Sequence, residues 1–223
     1  MEAQLEQKKL ILVGGGGHCK VVLSQIKKLK EFEVIGIVDN YKPVGSSING
    51  VNIIGTDEDL PKFYKEGIIY ALITVGSVQD NSKRYNLFKL VKDIGYSLPI
   101  IISPTAIIDE TVKIGEGTVI MPNCIVDANS YIGENCIINS NTTIGHDCVI
   151  NNNCHIAPGV NIAGSVEIEE LSFIGIGATI IQGIKIGKNV TIGAGSIVSK
   201  NIFNNMITVG YPAKVIKIKE NEI

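Results

Sequence analysis

An aliphatic residue returns at every sixth position from Ile102 to Val198 without a miss. The series is Ile102, Ile108, Ile114, Ile120, Val126, Ile132, Ile138, Ile144, Ile150, Ile156, Ile162, Ile168, Ile174, Ile180, Ile186, Ile192 and Val198: fifteen isoleucines and two valines. A period of six fits neither an amphipathic helix nor an alternating strand. It is the pattern of a parallel β-helix built from hexapeptides. A second series runs in step, because the residue four places after each aliphatic is small or β-branched, as at Ala106, Thr118, Cys124, Ser130, Cys136, Thr142, Cys148 and Cys154. Glycine follows the aliphatic at positions 115, 133, 145, 175, 187 and 193, where it suits a tight corner.

The chain ahead of this column has a different grammar. Leu10 to Val13 reads as a buried strand, and Gly14-Gly15-Gly16-Gly17-His18 as a loop opening onto a helix from Cys19 to Lys30. Val34 to Val38 reads as a second strand, ending at Asp39-Asn40. Strand, glycine loop, helix and strand begin a doubly wound parallel sheet. Asp57 to Glu66 and Asn81 to Ile94 read as helices and Ile68 to Val75 as a third strand. The predicted organisation is an α/β, Rossmann-like subdomain over 1–97, the β-helix over 98–203, and a cap of strand or short helix over 204–223. Backbone N–H groups of a glycine loop at a helix N-terminus form an anion site. The dinucleotide fingerprint wants a third glycine where Cys19 stands. The loop therefore reads either as a bare tight turn or as half of a Rossmann fold holding the phosphates of a mononucleotide-type ligand, with Asp39 near its ribose or base. His18 reads equally as a loop-shaping residue or a substrate contact.

Composition narrows the class. A formal net charge of −2 argues against nucleic acid as the main partner. No eighteen-residue apolar run is present, so no membrane span is expected. Met1 to Gln7 is polar and lacks the layout of a signal peptide. Four of the five cysteines fall on the small inward position of the repeat and read as core filler. A cytoplasmic protein without disulfides is expected.

The hexapeptide pattern resembles the left-handed β-helix acyltransferases, in which three hexapeptides make one eighteen-residue coil of a triangular prism. The left hand comes from that resemblance, since ordinary crossovers are right-handed. Two of the three histidines lie in the prism, His146 two places after Ile144 and His155 one place before Ile156. Both offsets point away from the aliphatic core. Nine residues are half a coil, which puts the two on different sides of one prism. A site using both forms only between neighbouring prisms, and such prisms associate as trimers in the family they resemble. Asp147 beside His146 is placed to fix the imidazole tautomer and raise its basicity. Asn139 stands in the same band of coils.

Taken together, Val13-Gly-Gly-Gly-Gly-His-Cys-Lys, Asp39, Ile144-Gly-His-Asp, His155-Ile-Ala-Pro-Gly and Gly210-Tyr-Pro-Ala-Lys look like the sialic-acid O-acetyltransferase and nucleotide-aminosugar N-acetyltransferase family, including the bacillosamine-pathway type. The resemblance covers nearly the whole chain. It implies an acetyl-CoA-dependent enzyme that acetylates the amino group of a nucleotide-linked 4-amino-deoxysugar without a metal. By that similarity His146 is the general base and Asp147 its partner, where several relatives carry Glu. Asn139 lies near the acceptor amine, and His155 meets the acetyl group. Gly164, Ile176 and Ala194 match positions along the pantetheine, and Lys214 faces the phosphates of CoA. Gly14, Gly15, Gly16, Gly17, His18, Asp39 and Asn40 hold the nucleotide-sugar. The amine attacks the thioester directly as His146 takes its proton, with no acyl-cysteine required. The rival readings are an O-acetyltransferase of a sialic acid or related sugar, using the same base, and a non-catalytic nucleotide-sugar binder. A zinc enzyme of the β-helix carbonic anhydrase kind needs three prism histidines, and this prism has two.

Overall fold

The computed structural model describes residues 7–77 and 80–220 and divides into two compact units. The first comprises residues 7–76 and 86–99; the second comprises Ser77–Tyr85 and the chain from Ile100 onward. The short segment Ser77–Tyr85 thus packs with the column, although it was expected inside the first subdomain.

In the first unit β1 (Lys8–Val13) leads through the tetraglycine to α1 (Gly17–Leu29) and β2 (Phe32–Val38). A short β3 (Ser47–Ile48) and β4 (Val51–Gly55) precede α2 (Leu60–Lys65), β5 (Tyr70–Ile73) and α3 (Ser82–Ile94), of which the last begins in the second unit. The sheet order is β3-β4-β2-β1-β5, parallel except for the β3–β4 hairpin. The chain moves outward from β1 to β2 and β4, then returns to the other side of β1 with β5. Such a reversal opens a crevice at the carboxyl ends of the two central strands. The tetraglycine follows β1 at that end. β1 reads as a continuous apolar run because Leu10 to Val13 are buried on both faces of the sheet.

In the second unit the strands repeat at two residues per hexapeptide, from Ile101–Ile102 to Ile197–Val198. They stack into three parallel faces. Face one carries Ile137–Ile138 and His155–Ile156, face two Thr143–Ile144 and Asn161–Ile162, and face three Val149–Ile150 and Glu167–Ile168. The architecture is the left-handed β-helix. From Ile120 to Val198 every residue of the aliphatic series is buried.

Two readings of the repeat need correction. The glycines after the aliphatics do not make the corners. A Cβ at Gly115 would come within 2.6 Å of the Glu134 nitrogen, and one at Gly145 within 2.8 Å of the Gly164 nitrogen. They are glycines because the next coil's backbone lies against them. The corners fall three places after the aliphatic. Fourteen successive corner residues, from Gly117 through Asn123, Asn129, Asn135, Asn141, Asp147 and Asn153 to Gly195, have φ between 54° and 71°. Asn, Asp and Gly tolerate that left-handed conformation best, and only Ser165 and Leu171 depart from them. Nor are the small inward residues mere filler. Thr118, Ser130, Thr142 and Ser172 donate their hydroxyls to the carbonyl fifteen residues on. Cys124, Cys136, Cys148 and Cys154 donate their thiols in the same way at 3.1–3.2 Å.

The end of the column is closed by strand rather than helix. Met206–Val209 adds to face one beside Thr191–Ile192, and Lys214–Ile218 returns antiparallel to it.

Candidate active site

The tetraglycine has two halves with different reasons to be glycine. Gly14 has φ of 100°, and a Cβ there would strike Val75; one on Gly15 would meet Ile48 Cδ1 at 2.7 Å. Packing alone requires these two. Around Gly16 and Gly17 nothing lies within 4 Å of where a Cβ would stand. Gly16 caps α1 with no side-chain hydrogen bond, and the first turn holds no acid. The open N–H groups of such a turn favour an anion. Asp39 and Asn40, expected on the ligand, are occupied with the fold. Asp39 Oδ2 accepts from the Gly15 N–H at 2.6 Å, while Oδ1 accepts from Tyr41 and Lys42. Burial by itself raises the Asp39 carboxyl, but these three backbone donors outweigh it and hold the group below its ordinary value. The Asn40 amide is stitched to Asp57 through both ends. Both residues therefore shape the loop. Cys19, where the predicted helix begins, is buried in the first turn of α1, which starts two residues earlier at Gly17; burial pushes its thiol up to about 11.

On the column the expected residues fall along two edges. The edge between faces two and three holds His146, Asp147 and Gly164. His146 Nδ1 donates to Asp147 Oδ2 at 2.7 Å, with side-chain exposures of 59% and 53%. Asp147 is also a corner residue, with φ of 56°, and that corner turns its carboxylate back onto the preceding imidazole. Gly164 lies one coil further on, directly under the ring: a Cβ there would sit 2.6 Å from His146 Nε2. Glycine at 164 leaves the imidazole its room.

The edge between faces one and two holds Asn139, Ile176 and Ala194. Ile176 is 60% exposed, Ala194 is exposed, and the Gly177 and Gly195 corners beside them leave open space. Together they form a shallow apolar track. His155 points outward from face one, as its offset requires, yet only 7% of it is exposed. The ring faces away from the aliphatic core, and Ser77 and Phe173 cover it. Its Nδ1 lies 2.7 Å from the Ser77 carbonyl and 3.2 Å from the Ser77 hydroxyl. Phe173 packs edge-on against its ring, with centroids 5.2 Å apart. Burial, opposed by the Ser77 carbonyl and assisted by the Arg84 charge, lowers the His155 pKa to about 4. Lys214 is exposed at the start of the last strand.

Three residues that sequence reasoning passed over hold this covering segment. Asn81 Nδ2 donates to the carbonyls of Asn153, Leu171 and Ser172 at 3.0–3.1 Å. The fully buried Arg84 donates to the carbonyls of Asn135 and Gly117. Ser77 meets His155 as described. Among the described residues no cluster of His, Cys, Asp and Glu is grouped to hold a metal, and no helix is long and apolar enough to cross a membrane.

A hexapeptide column with an imidazole–carboxylate pair on its edge, preceded by a doubly wound sheet with an open glycine turn, defines the class of hexapeptide-repeat transferases. Residues 111–146, 129–164 and 165–200 match the bacterial transferase hexapeptide model, and 9–91 match the PglD N-terminal domain. The chain belongs to the bacillosamine-type N-acetyltransferase family, which joins these two parts. It superimposes on the H141N mutant of perosamine N-acetyltransferase from Caulobacter crescentus, solved with CoA and GDP-perosamine, with a TM-score of 0.89 and 32% identity, covering 96% of this chain and 100% of that one. The acetyltransferase domain of PglB from Neisseria gonorrhoeae, in complex with acetyl coenzyme A, gives a TM-score of 0.87 and 33% identity over 95% and 100% of the two chains. Curated relatives include a 2,3,4,5-tetrahydropyridine-2,6-dicarboxylate N-acetyltransferase from Alkaliphilus metalliredigens, 44% identical over 52% of each chain. A galactoside O-acetyltransferase from Lactococcus lactis is 41% identical over 29% of this chain and 30% of its own length. The chain spans from about a third to about half the length of the curated relatives it matches.

Proposed function

We propose that this protein transfers the acetyl group of acetyl-CoA to the amino group of a nucleotide-linked 4-amino-deoxysugar. The observation that carries the reading is the exposed His146–Asp147 pair, joined at 2.7 Å with Gly164 leaving its ring clear. Asp147 keeps the proton on Nδ1 and leaves Nε2 bare as the base. When bound, acetyl-CoA supplies an electrophilic thioester carbon. His146 Nε2 takes the proton of the attacking amine, and Asp147 stabilises the imidazolium that results. The thiols are poor candidates for a covalent route, since all five cysteines are buried. The residues fit the cosubstrate. Ile176, Ala194 and the open Gly177 and Gly195 corners suit an extended pantetheine, and exposed Lys214 supplies a cation for the CoA phosphates. The unobstructed N-terminus of α1 suits the phosphates of the nucleotide-sugar.

His146 lies on one edge of the column, and Asn139, Ile176 and Ala194 on the next. A complete site on this reading takes His146 from one protomer and the second edge from its neighbour, in a homotrimer. The test is His146→Ala assayed for CoA release with a 4-aminosugar nucleotide. Turnover falls about 10²–10⁴-fold, the usual range for a lost general base. The fold and assembly persist, because replacing an exposed side chain costs no more than about 0.5 kcal/mol. Near-normal turnover in the variant overturns the assignment, and nucleotide binding without CoA release by the wild type favours a binder.

A further inference from the structure

The coil that precedes His146 sets a carboxylate beside it that the fold does not use. The Asp127 N–H donates to the Ile144 carbonyl at 2.9 Å, and the Asp147 N–H donates to the Ala128 carbonyl at 2.9 Å. The pair Asp127-Ala128 is therefore bonded to both ends of the stretch 144–147, with Asp127 stacked on Gly145 and Ala128 on His146. The glycines of this register show where a side chain on such a residue emerges. A Cβ at Gly145 would meet the peptide bond joining Ala163 and Gly164 in the next coil, at 2.9 and 2.8 Å. By the same register the Asp127 Cβ lies over the peptide joining Gly145 and His146. Asp109, one coil earlier, uses its carboxylate on the turn: Oδ1 accepts from the Thr111 N–H at 2.9 Å and from the Thr111 hydroxyl at 2.6 Å. Asp127 has no such duty, because the Asn129 N–H that it would cap goes to Thr111 Oγ1 at 2.7 Å. Among the described residues the exposed Asp127 carboxylate makes no hydrogen bond and no ion pair. Its charge still belongs to the His146 edge. Burial is the chief reason that the Cys148 thiol lies above its ordinary value, and the Asp147 and Asp127 charges push it the same way.

We propose that Asp127 binds the ammonium form of the acceptor's amino group and holds it beside His146. The inference rests on the acetyl-transfer reading above. A primary amine is mostly protonated at neutral pH, so the sugar arrives as a cation. Asp147 is committed to His146 Nδ1, and the neutral imidazole has a lone pair but no charge with which to draw that cation in. Asp127 supplies the uncommitted charge. The ammonium loses one proton to solvent before reaction, since only the neutral amine has a lone pair to form the C–N bond. As that bond forms, the C–S pair leaves on sulfur. A second proton passes to His146 and on to the departing thiolate, and the third stays on nitrogen. The products are the amide, the CoA thiol and one proton. While the C–N bond forms, the nitrogen is positive again until His146 has its proton, so Asp127 attracts the bound substrate and the transition state alike. An interaction equal in the two lowers KM and leaves kcat alone. A hydroxyl arrives uncharged and gains nothing from Asp127.

Asp127→Asn removes the charge and keeps the shape, at an exposed position where the fold does not depend on it. Calorimetric titration in the presence of CoA compares a 4-amino nucleotide sugar with its 4-hydroxy counterpart. The wild type binds the amino form about three- to fivefold more tightly, the upper part of what an exposed ion pair supplies. Asp127→Asn loses that preference, and Asp127→Glu, which restores the charge on a longer arm, recovers most of it. Raising the salt from about 0.05 to 0.5 M narrows the wild-type preference by screening and leaves the asparagine variant as it was. In turnover, Asp127→Asn raises KM for the amino sugar by the same factor, with kcat and the KM for acetyl-CoA unchanged. A wild type that binds both sugars alike, or a preference that survives in Asp127→Asn, overturns the proposal. So does a fall in kcat at unchanged KM, which would put Asp127 on the chemical step instead. The titration needs no turnover, so a failure of the acetyl-transfer reading, seen as no CoA release by the wild type, stays distinguishable.

Discussion

His155 and His146 are the same side chain placed in opposite circumstances. His146 stands in solvent with a carboxylate at 2.7 Å. His155 is enclosed between Ser77, Phe173 and Asn139 and has no carboxylate among its contacts. Burial makes the charged form of His155 costly, and its pKa falls from 6.5 to about 4. The unfolded chain then binds a proton between those two values that the folded chain refuses. Stability from this residue is complete above about pH 6.5 and is lost as the pH drops toward 4. At about 1.4 kcal/mol per unit the full loss is about 3 kcal/mol. Urea unfolding of the wild type between pH 7 and 4 shows this decline, and His155→Phe shows a shallower one. Equal slopes would mean that the imidazole is not held neutral. The sequence discloses that both rings point outward, since that follows from their offsets to Ile144 and Ile156. It does not disclose that one is covered, because the cover comes from Ser77, 78 positions away, and nothing about a serine marks it as such.

At the scale of elements, the column and the segment across it are held by different means. Each coil exchanges backbone hydrogen bonds with the next, as from the Val119 N–H to the Cys136 carbonyl and from the Met121 N–H to the Ile138 carbonyl. The segment Ser77–Tyr85 instead borrows carbonyls at the corners between faces three and one. Asn81 and Arg84 together reach Gly117, Asn135, Asn153 and Leu171, which are eighteen residues apart and so belong to four successive coils. Asn81→Ala removes the buried donor from the carbonyls of Asn153 and Leu171, and from that of Ser172, which keeps the His155 N–H. The expected cost is about 1–3 kcal/mol, read as a shift in the urea midpoint, together with a looser His155 seen in histidine NMR spectra. A shift below about 0.5 kcal/mol would show that solvent replaces the amide freely. The repeat itself was legible because its inward positions demand one kind of side chain, and seventeen hits in phase leave no competing period. The corner asparagines carry an equally regular signal, hidden only because polar residues on a surface look unconstrained. The clamp leaves no signal at all. Its acceptors are main-chain carbonyls, which any residue supplies, so no pattern of side chains betrays them.

At the scale of the whole molecule, one column on the proposed reading lacks half of each site. His146 follows a strand of face two, whereas His155 lies on face one and Asn139 follows a strand of that face. On the proposed reading, the base at His146 and the edge carrying Asn139, Ile176 and Ala194 meet one substrate only where a second copy brings its own edge alongside. A ring of three identical copies makes three equivalent grooves, each taking one edge from either neighbour. Shared grooves have a consequence that sites confined to one chain do not. Consider His146→Ala chains co-expressed at equal level with Ile176→Glu chains, whose added charge blocks the second edge at an exposed position. About three quarters of the trimers hold both kinds of chain, and each of these has one groove in three whose two edges are both intact. Roughly a quarter of wild-type turnover should return, well above the mean of the two parent variants. The three-fold assembly is checked on the same sample by light scattering. Activity that stays at the parental mean, with mixed trimers present, would place the work of both edges within a single chain and remove the shared groove. A quarter restored would be difficult to obtain any other way, because neither variant chain alone carries both edges whole.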